Sequence, residues 1–186
     1  MQEVRRRLLV IRLLFGVALA AIIVPASVEN EFRVYRSSRY RYEVRYPRSW
    51  HLNSALASRT GNLLITNFPP TSFLKGGILP EGGAEITVVA GATRDIDQWI
   101  DQDLAGADVQ SKEQLSLGNR NRMFRSCTQV IFSFEIGPGA YYTRTSCYFS
   151  LNRRPFKMVL DYWRDDPNGP TYRAVLVALL RSLTLK

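Results

Sequence analysis

Residues 121–163 read NRMFRSCTQVIFSFEIGPGAYYTRTSCYFSLNRRPFKMVLDYW. Two runs rich in β-branched and aromatic residues flank Gly137-Pro138-Gly139. A third follows a break at Asn152-Arg153-Arg154-Pro155. Such runs, separated by turn residues, pair as an antiparallel meander. Centring the first turn on Gly137 sets Val130 opposite Arg144, Phe132 opposite Tyr142 and Ser126 opposite Tyr148. Side chains alternate along a strand, so Phe124, Val130, Phe132, Phe134, Tyr142 and Tyr148 share one face. Arg125, Gln129, Ser133, Thr143 and Thr145 share the other. The first face is expected to be core and the second more polar. In this register Cys127 lies directly opposite Cys147.

Outward from the meander, the 186 residues favour one domain, or a domain with a tail. Apolar residues make up 46% and charged residues 22%, ordinary values for a globular chain. The net charge is +9. Residues 1–26 carry four arginines and one glutamate, a net +3, which leaves +6 for the rest. That surplus favours anionic partners such as nucleic acid, acidic lipid or acidic protein surfaces; its plainer reading is solubility.

Arg5-Arg6-Arg7 precede an apolar run from Leu13 to Val24 that ends in Val24-Pro25-Ala26. A basic start, a short apolar core and a small-residue end match a secretory signal cut after Ala26. The competing reading is an uncleaved membrane anchor from Leu8 to Val28, interrupted by Arg12. Either one exports the remainder of the chain to the periplasm or beyond, because the basic flank stays cytoplasmic. The expected organisation is a signal or anchor over 1–26, a polar lead-in over 27–38 and a folded domain over 39–186.

Export bears on the cysteines. There are two, an even count, and each is the other's only partner. An oxidising compartment preserves disulfides. With the register above, the expectation is a Cys127–Cys147 bridge that pins the hairpin.

Tyr40, Tyr42, Val44 and Tyr46 alternate with Arg41, Glu43 and Arg45, a half-buried strand ended by Pro47. Arginine and tyrosine together suit nucleic acid, but here they fall on opposite faces of one strand. A buried aromatic face with a solvated basic one is the expectation, and no nucleic-acid partner. The stretch YRYEVRYPRSW, with Tyr46, Pro47 and Trp50, resembles the opening of the PsbP-like domains, an α/β sandwich family that includes PsbP, Mog and DcrB-like proteins. The later order of hairpin, meander and C-terminal helix is similar too. The resemblance implies an α+β fold and a non-enzymatic binding or assembly role. It carries over no binding residue.

Asn62 to Phe68 and Ala84 to Ala90 read as strands. Between them PPTSFLKGGILPEGG is a long loop holding Phe73, Leu74, Lys75, Ile78 and Leu79. It is either a recognition surface or a flap over one end of the core. Asp95 caps a helix whose Ile96, Trp99, Ile100 and Leu104 share one face. Asp95, Asp97, Asp101 and Asp103 lack the glycine turn and distal glutamate of a calcium loop, and read as a solvated acidic face. Leu115 to Leu117 is a short strand. Pro170 opens a last helix with an apolar stripe of Tyr172, Val175, Leu176, Leu179, Leu180 and Leu183.

The single histidine, His51, has no GxSxG elbow or ligand cluster to join. No Walker loop or GxGxxG occurs, so neither catalysis nor a cofactor or metal is expected. The sequence points to an exported binding or assembly domain of unknown partner. The alternative is a basic module that contacts an anionic envelope polymer or acidic lipid; an uncleaved N-terminal segment would be the chain's attachment to the membrane.

Overall fold

The computed structural model describes residues 31–72, 77–90, 95–117, 126–151 and 153–185. The leader, with its signal and anchor readings, lies outside the described residues. So do Phe124 and Arg125 of the meander. No helix among the described residues is long and apolar enough to cross a membrane.

The fold is α+β. Three strands, β1 (Phe32–Ser37), β2 (Tyr42–Pro47) and β10 (Thr184–Leu185), form a small antiparallel sheet in the order β1-β2-β10. Seven form the large one: β3 (His51–Leu52), β4 (Leu63–Thr66), β5 (Ala84–Ala90), β6 (Asp108–Ser116), β7 (Ser126–Gly137), β8 (Ala140–Leu151) and β9 (Arg154–Trp163). Their order is β3-β4-β5-β9-β8-β7-β6, antiparallel throughout. Three α-helices occur among the described residues, α1 (Ser54–Thr60), α2 (Ile96–Asp103) and α3 (Gly169–Ser182).

α3 packs against β2 and β9, and so joins the two sheets. Its stripe, Tyr172, Leu176, Leu179, Leu180 and the following Leu183, is buried. Those residues meet Tyr42, Val44 and Tyr46 of the small sheet and Ala84, Ile86, Val88, Met158 and Leu160 of the large one. Each such side chain contributes about 1.5–3 kcal/mol when fully removed from water, so this contact carries much of the stability. Asp95 caps α2 as expected, its Oδ1 accepting from Asp97 N at 2.9 Å. α2 covers the opposite face of the large sheet through Trp99 and Ile100, which sit on Val130, Phe132 and Tyr148.

The meander forms, but its first hairpin is shifted by two residues. Val130 pairs with Ser146, Phe134 with Tyr142 and Gln129 with Cys147, so Cys127 does not face Cys147. The turn is the cause. Pro138 and Gly139 are its two central residues, Gly139 takes a φ of +73°, and Ala140 pairs back onto Gly137 after a bulge. A two-residue shift keeps every side chain on its expected face.

The polar face is a second correction. Cys127, Gln129, Ser133, Thr143, Thr145 and Cys147 are all buried. Cys127 and Cys147 belong with Phe149 and Leu151 to the main core beneath α3 and the small sheet. Both faces of the sheet are therefore covered.

The lead-in is also shorter than expected. Phe32–Ser37 is a strand paired along its length with β2, so the folded domain starts within the stretch read as 27–38. α1 and β10 are further elements, and β6 runs over nine residues where three were expected.

Candidate anion-binding site

Two turns meet at one end of the molecule. The first joins β1 to β2 through Arg39, Tyr40 and Arg41, and the second joins β8 to β9 ahead of Arg154. The first is closed by Arg41 N donating to Ser37 O at 2.8 Å and Tyr40 N donating to Ser37 Oγ at 3.3 Å. Arg41 sits at φ +57° and Arg153 at +60°, a region that side-chain-bearing residues occupy at some cost. Each turn thus puts an arginine where glycine or asparagine is usual.

Between them is a pocket of about 310 Å³ lined by Arg39, Tyr40, Arg41, Leu151, Arg154, Phe156 and Leu185. Leu151 and Phe156 are buried and form its floor with the half-buried Leu185. Tyr40 stands edge-on to Phe156 at 6.5 Å. The guanidiniums of Arg39 and Arg154 lie 5.4 and 5.5 Å from the centre of the Tyr40 ring. Arginine over an aromatic face is attracted by the ring's quadrupole and loses rotamer freedom there. Among the described residues, no carboxylate pairs with Arg39, Arg41 or Arg154. Three arginines lining one pocket, with no counter-charge among the described residues, form a site of positive potential, and guanidinium forks suit oxyanions.

No family model and no curated protein matches the chain. Among solved structures it is similar to the solution structure of cyanobacterial PsbP from Synechocystis, with a TM-score of 0.45 and 9% identity, over 84% of this chain and 93% of that one.

Two further ion pairs lie within the fold. Arg144 donates Nε and Nη2 to Asp161 Oδ1 and Oδ2 at 2.7 and 2.6 Å, a bidentate pair in the middle of the large sheet. Glu85 is Asp161's partner on the neighbouring strand. Its carboxyl is pushed up to about 7, first by burial and then by the charge of Asp161, with Arg144 pulling the other way. Lys157 Nζ and Tyr148 Oη both donate to Asp103 Oδ2 at 2.6 Å. Asp103 therefore anchors α2 to the sheet, while Asp95, Asp97 and Asp101 are exposed. His51 is exposed on β3 opposite Thr66.

The loop residues divide. Phe73, Leu74 and Lys75 lie outside the described residues. Leu79 is buried with Phe68 and Tyr142, and Ile78 packs beside them. Leu79 N donates to Tyr142 Oη at 2.6 Å, and Trp163 Nε1 donates to Leu79 O at 3.1 Å. Leu79 thus caps one end of the core, with the half-buried Ile78 beside it. Nothing in their sequence could separate the two readings, since both need apolar residues.

Cys127 and Cys147 are buried free thiols 3.8 Å apart. They neighbour each other diagonally, as the shifted register requires. The bridge expected from direct opposition is absent from the structure. Hydrogen bonding with Cys127 and burial raise the Cys147 thiol well above its ordinary range.

Sequence reading assigned Arg41 to a solvated face and missed the pocket. Its parts, Arg39 to Arg41 and Arg154, lie more than a hundred residues apart along the chain. The one local signal was the arginine density of SSRYRYEVR and NRRP.

Proposed function

We propose that this chain is a non-enzymatic binding domain of the cell envelope that captures an anionic partner through Arg39, Arg41 and Arg154. The observation that carries the reading is the gathering of three arginines around one pocket with no carboxylate paired to them among the described residues. The less exposed Arg144 and Lys157, by contrast, are paired with Asp161 and Asp103. The basic start of the sequence and its apolar run support an envelope location.

Elution from phosphocellulose tests it. Arg39→Gln, Arg41→Gln and Arg154→Gln together should lower the salt needed to release the protein. The control is Arg33→Gln, Arg45→Gln and Arg48→Gln, exposed positions outside the pocket that remove the same charge. A clearly larger drop for the pocket variant supports the reading, since only clustered contacts add up at one ligand. Equal drops would reduce the effect to net charge and reject it.

A further inference from the structure

We infer that the ligand of this pocket is a phosphate monoester carried on an apolar organic group. The inference rests on reading the pocket as an anion site, and adds the chemistry of the anion.

Charge comes first. A carboxylate would neutralise one of the three guanidiniums and offer two acceptor oxygens. A phosphate monoester carries about −1.5 to −2 at neutral pH and three strong acceptor oxygens, so it satisfies several arginine forks together. A diester keeps one charge and fits no better than a carboxylate on this count.

The floor comes second. The half-buried Tyr40 and Leu185 present apolar surface beside the arginines, above the buried Leu151 and Phe156. A bare inorganic ion leaves that surface unused, whereas an apolar body covers it and gains from the burial. At about 310 Å³ the pocket is at the lower end of small-molecule sites, enough for a phosphate and a compact organic portion. Pre-organisation comes third. Arg39 and Arg154 are already held against the Tyr40 ring, so less side-chain freedom is lost on binding.

The probes are phenyl phosphate, methyl phenyl phosphate and benzoate, which share an aromatic body and differ in the anion. Binding is followed by the arginine side-chain Nε–H resonances of the folded domain. Phenyl phosphate should shift the signals of Arg39, Arg41 and Arg154 and bind at least about tenfold tighter than the other two, from the charge difference alone. Its affinity should fall about tenfold between about pH 7.5 and about pH 5, because the second phosphate ionisation is near pH 6. The methyl phenyl phosphate and benzoate probes, which have no second phosphate ionisation, should show no such fall over the same range, which places the change on the ligand. Arg154→Gln should weaken phenyl phosphate about tenfold, the usual scale for one charged hydrogen-bonding group.

Equal affinity for phenyl phosphate and benzoate overturns the monoester while leaving an anion site. No shift with any probe overturns both. Vesicles separate the sources. Sedimentation with phosphatidic-acid vesicles, and not with phosphatidylglycerol vesicles of matched charge, assigns the monoester to a lipid. Phenyl phosphate binding without sedimentation assigns it to a soluble ligand. Equal sedimentation with both lipids rejects it.

Discussion

Glu85 and Asp161 face each other directly across β5 and β9, and the fork of Arg144 is bonded to Asp161. Two carboxylates thus share one guanidinium in a half-dry setting. The one without the fork holds its proton up to about 7. For an acid whose folded value is raised, the native state binds more protons than the unfolded chain between the two values. Stability is then greatest below the unfolded value near 4.5 and falls as pH rises through about 7. Glu85→Gln should remove that fall. It should stabilise the protein at pH 8 by about 1 kcal/mol, a small share of the nominal shift because the side chain is half-exposed, and change little at pH 5. Urea melts of both proteins at the two pH values check this. A gain equal at both would place the effect in packing. Asp161→Asn should free the fork for Glu85 and lower its titration, which carboxyl-carbon NMR would follow.

α2 is tied down by one ionic contact. Lys157 is buried, and its ammonium bonds Asp103 while lying 5.0 Å from the centre of the Trp99 ring. Asp103→Ala should strand that charge and cost about 3 kcal/mol, since an uncompensated buried ion is the expensive outcome. The α2 amides should exchange faster than those of β8 and β9 in this variant. Changing the pair together, Asp103→Leu with Lys157→Met, should recover most of the loss. Failure to recover would mean that the pair is needed for more than charge balance.

Much of the frame was legible because it is local. Val130, Phe132 and Phe134 alternate around a glycine-proline turn, the α3 stripe repeats with helical period, and β5 begins and ends where its β-branched run does. What was not legible is long-range. The register depended on which two residues of Gly137-Pro138-Gly139 make the turn, a choice the bulge at Glu135/Gly137 settles. The polar look of Gln129, Thr143 and Thr145 hid a buried face, because the small sheet and α3 close over a layer that a lone sheet would expose to water. β1 was hidden for a similar reason: of FRVYRS only Tyr35 and Ser37 point inward. The arginine pocket needed two turns from distant parts of the chain to be set side by side.

The cysteines give a chemical check on that register. Both are buried, and the Cys147 thiolate is disfavoured by its neighbour and by burial. The folded protein should therefore react with iodoacetamide far more slowly than a free thiol, because the thiolate is the nucleophile. After unfolding, two alkylated cysteines should appear by mass. A mass showing no alkylation after unfolding would mean that the diagonal pair closes into a bridge despite the register.

Gly61 links the core to the pocket. It ends α1 in the left-handed region at φ +75°, its N–H donating to Ala57 O at 2.9 Å. Its carbonyl accepts from Ser37 Oγ at 2.9 Å, Tyr42 Oη at 3.3 Å and Tyr35 Oη at 3.4 Å, which ties the β1–β2 hairpin to the large sheet. A Cβ at this position would stand 2.8 Å from Arg39 Cβ and 3.0 Å from Tyr40 Cε2. Those are the residues that carry the first wall of the pocket. Gly61→Ala should then do two things. It should cost about 1–3 kcal/mol from the strained backbone and the close approach. It should also push Arg39 and Tyr40 away from Arg154, so that phenyl phosphate binds more weakly under conditions where the variant is still folded. Gly106→Ala is the comparison, a glycine at φ +77° with open space around its Cβ. It should lose stability through backbone strain alone and leave the arginine signals of the pocket where they were. If both variants leave phenyl phosphate binding unchanged, Gly61 supports the hairpin without setting the pocket.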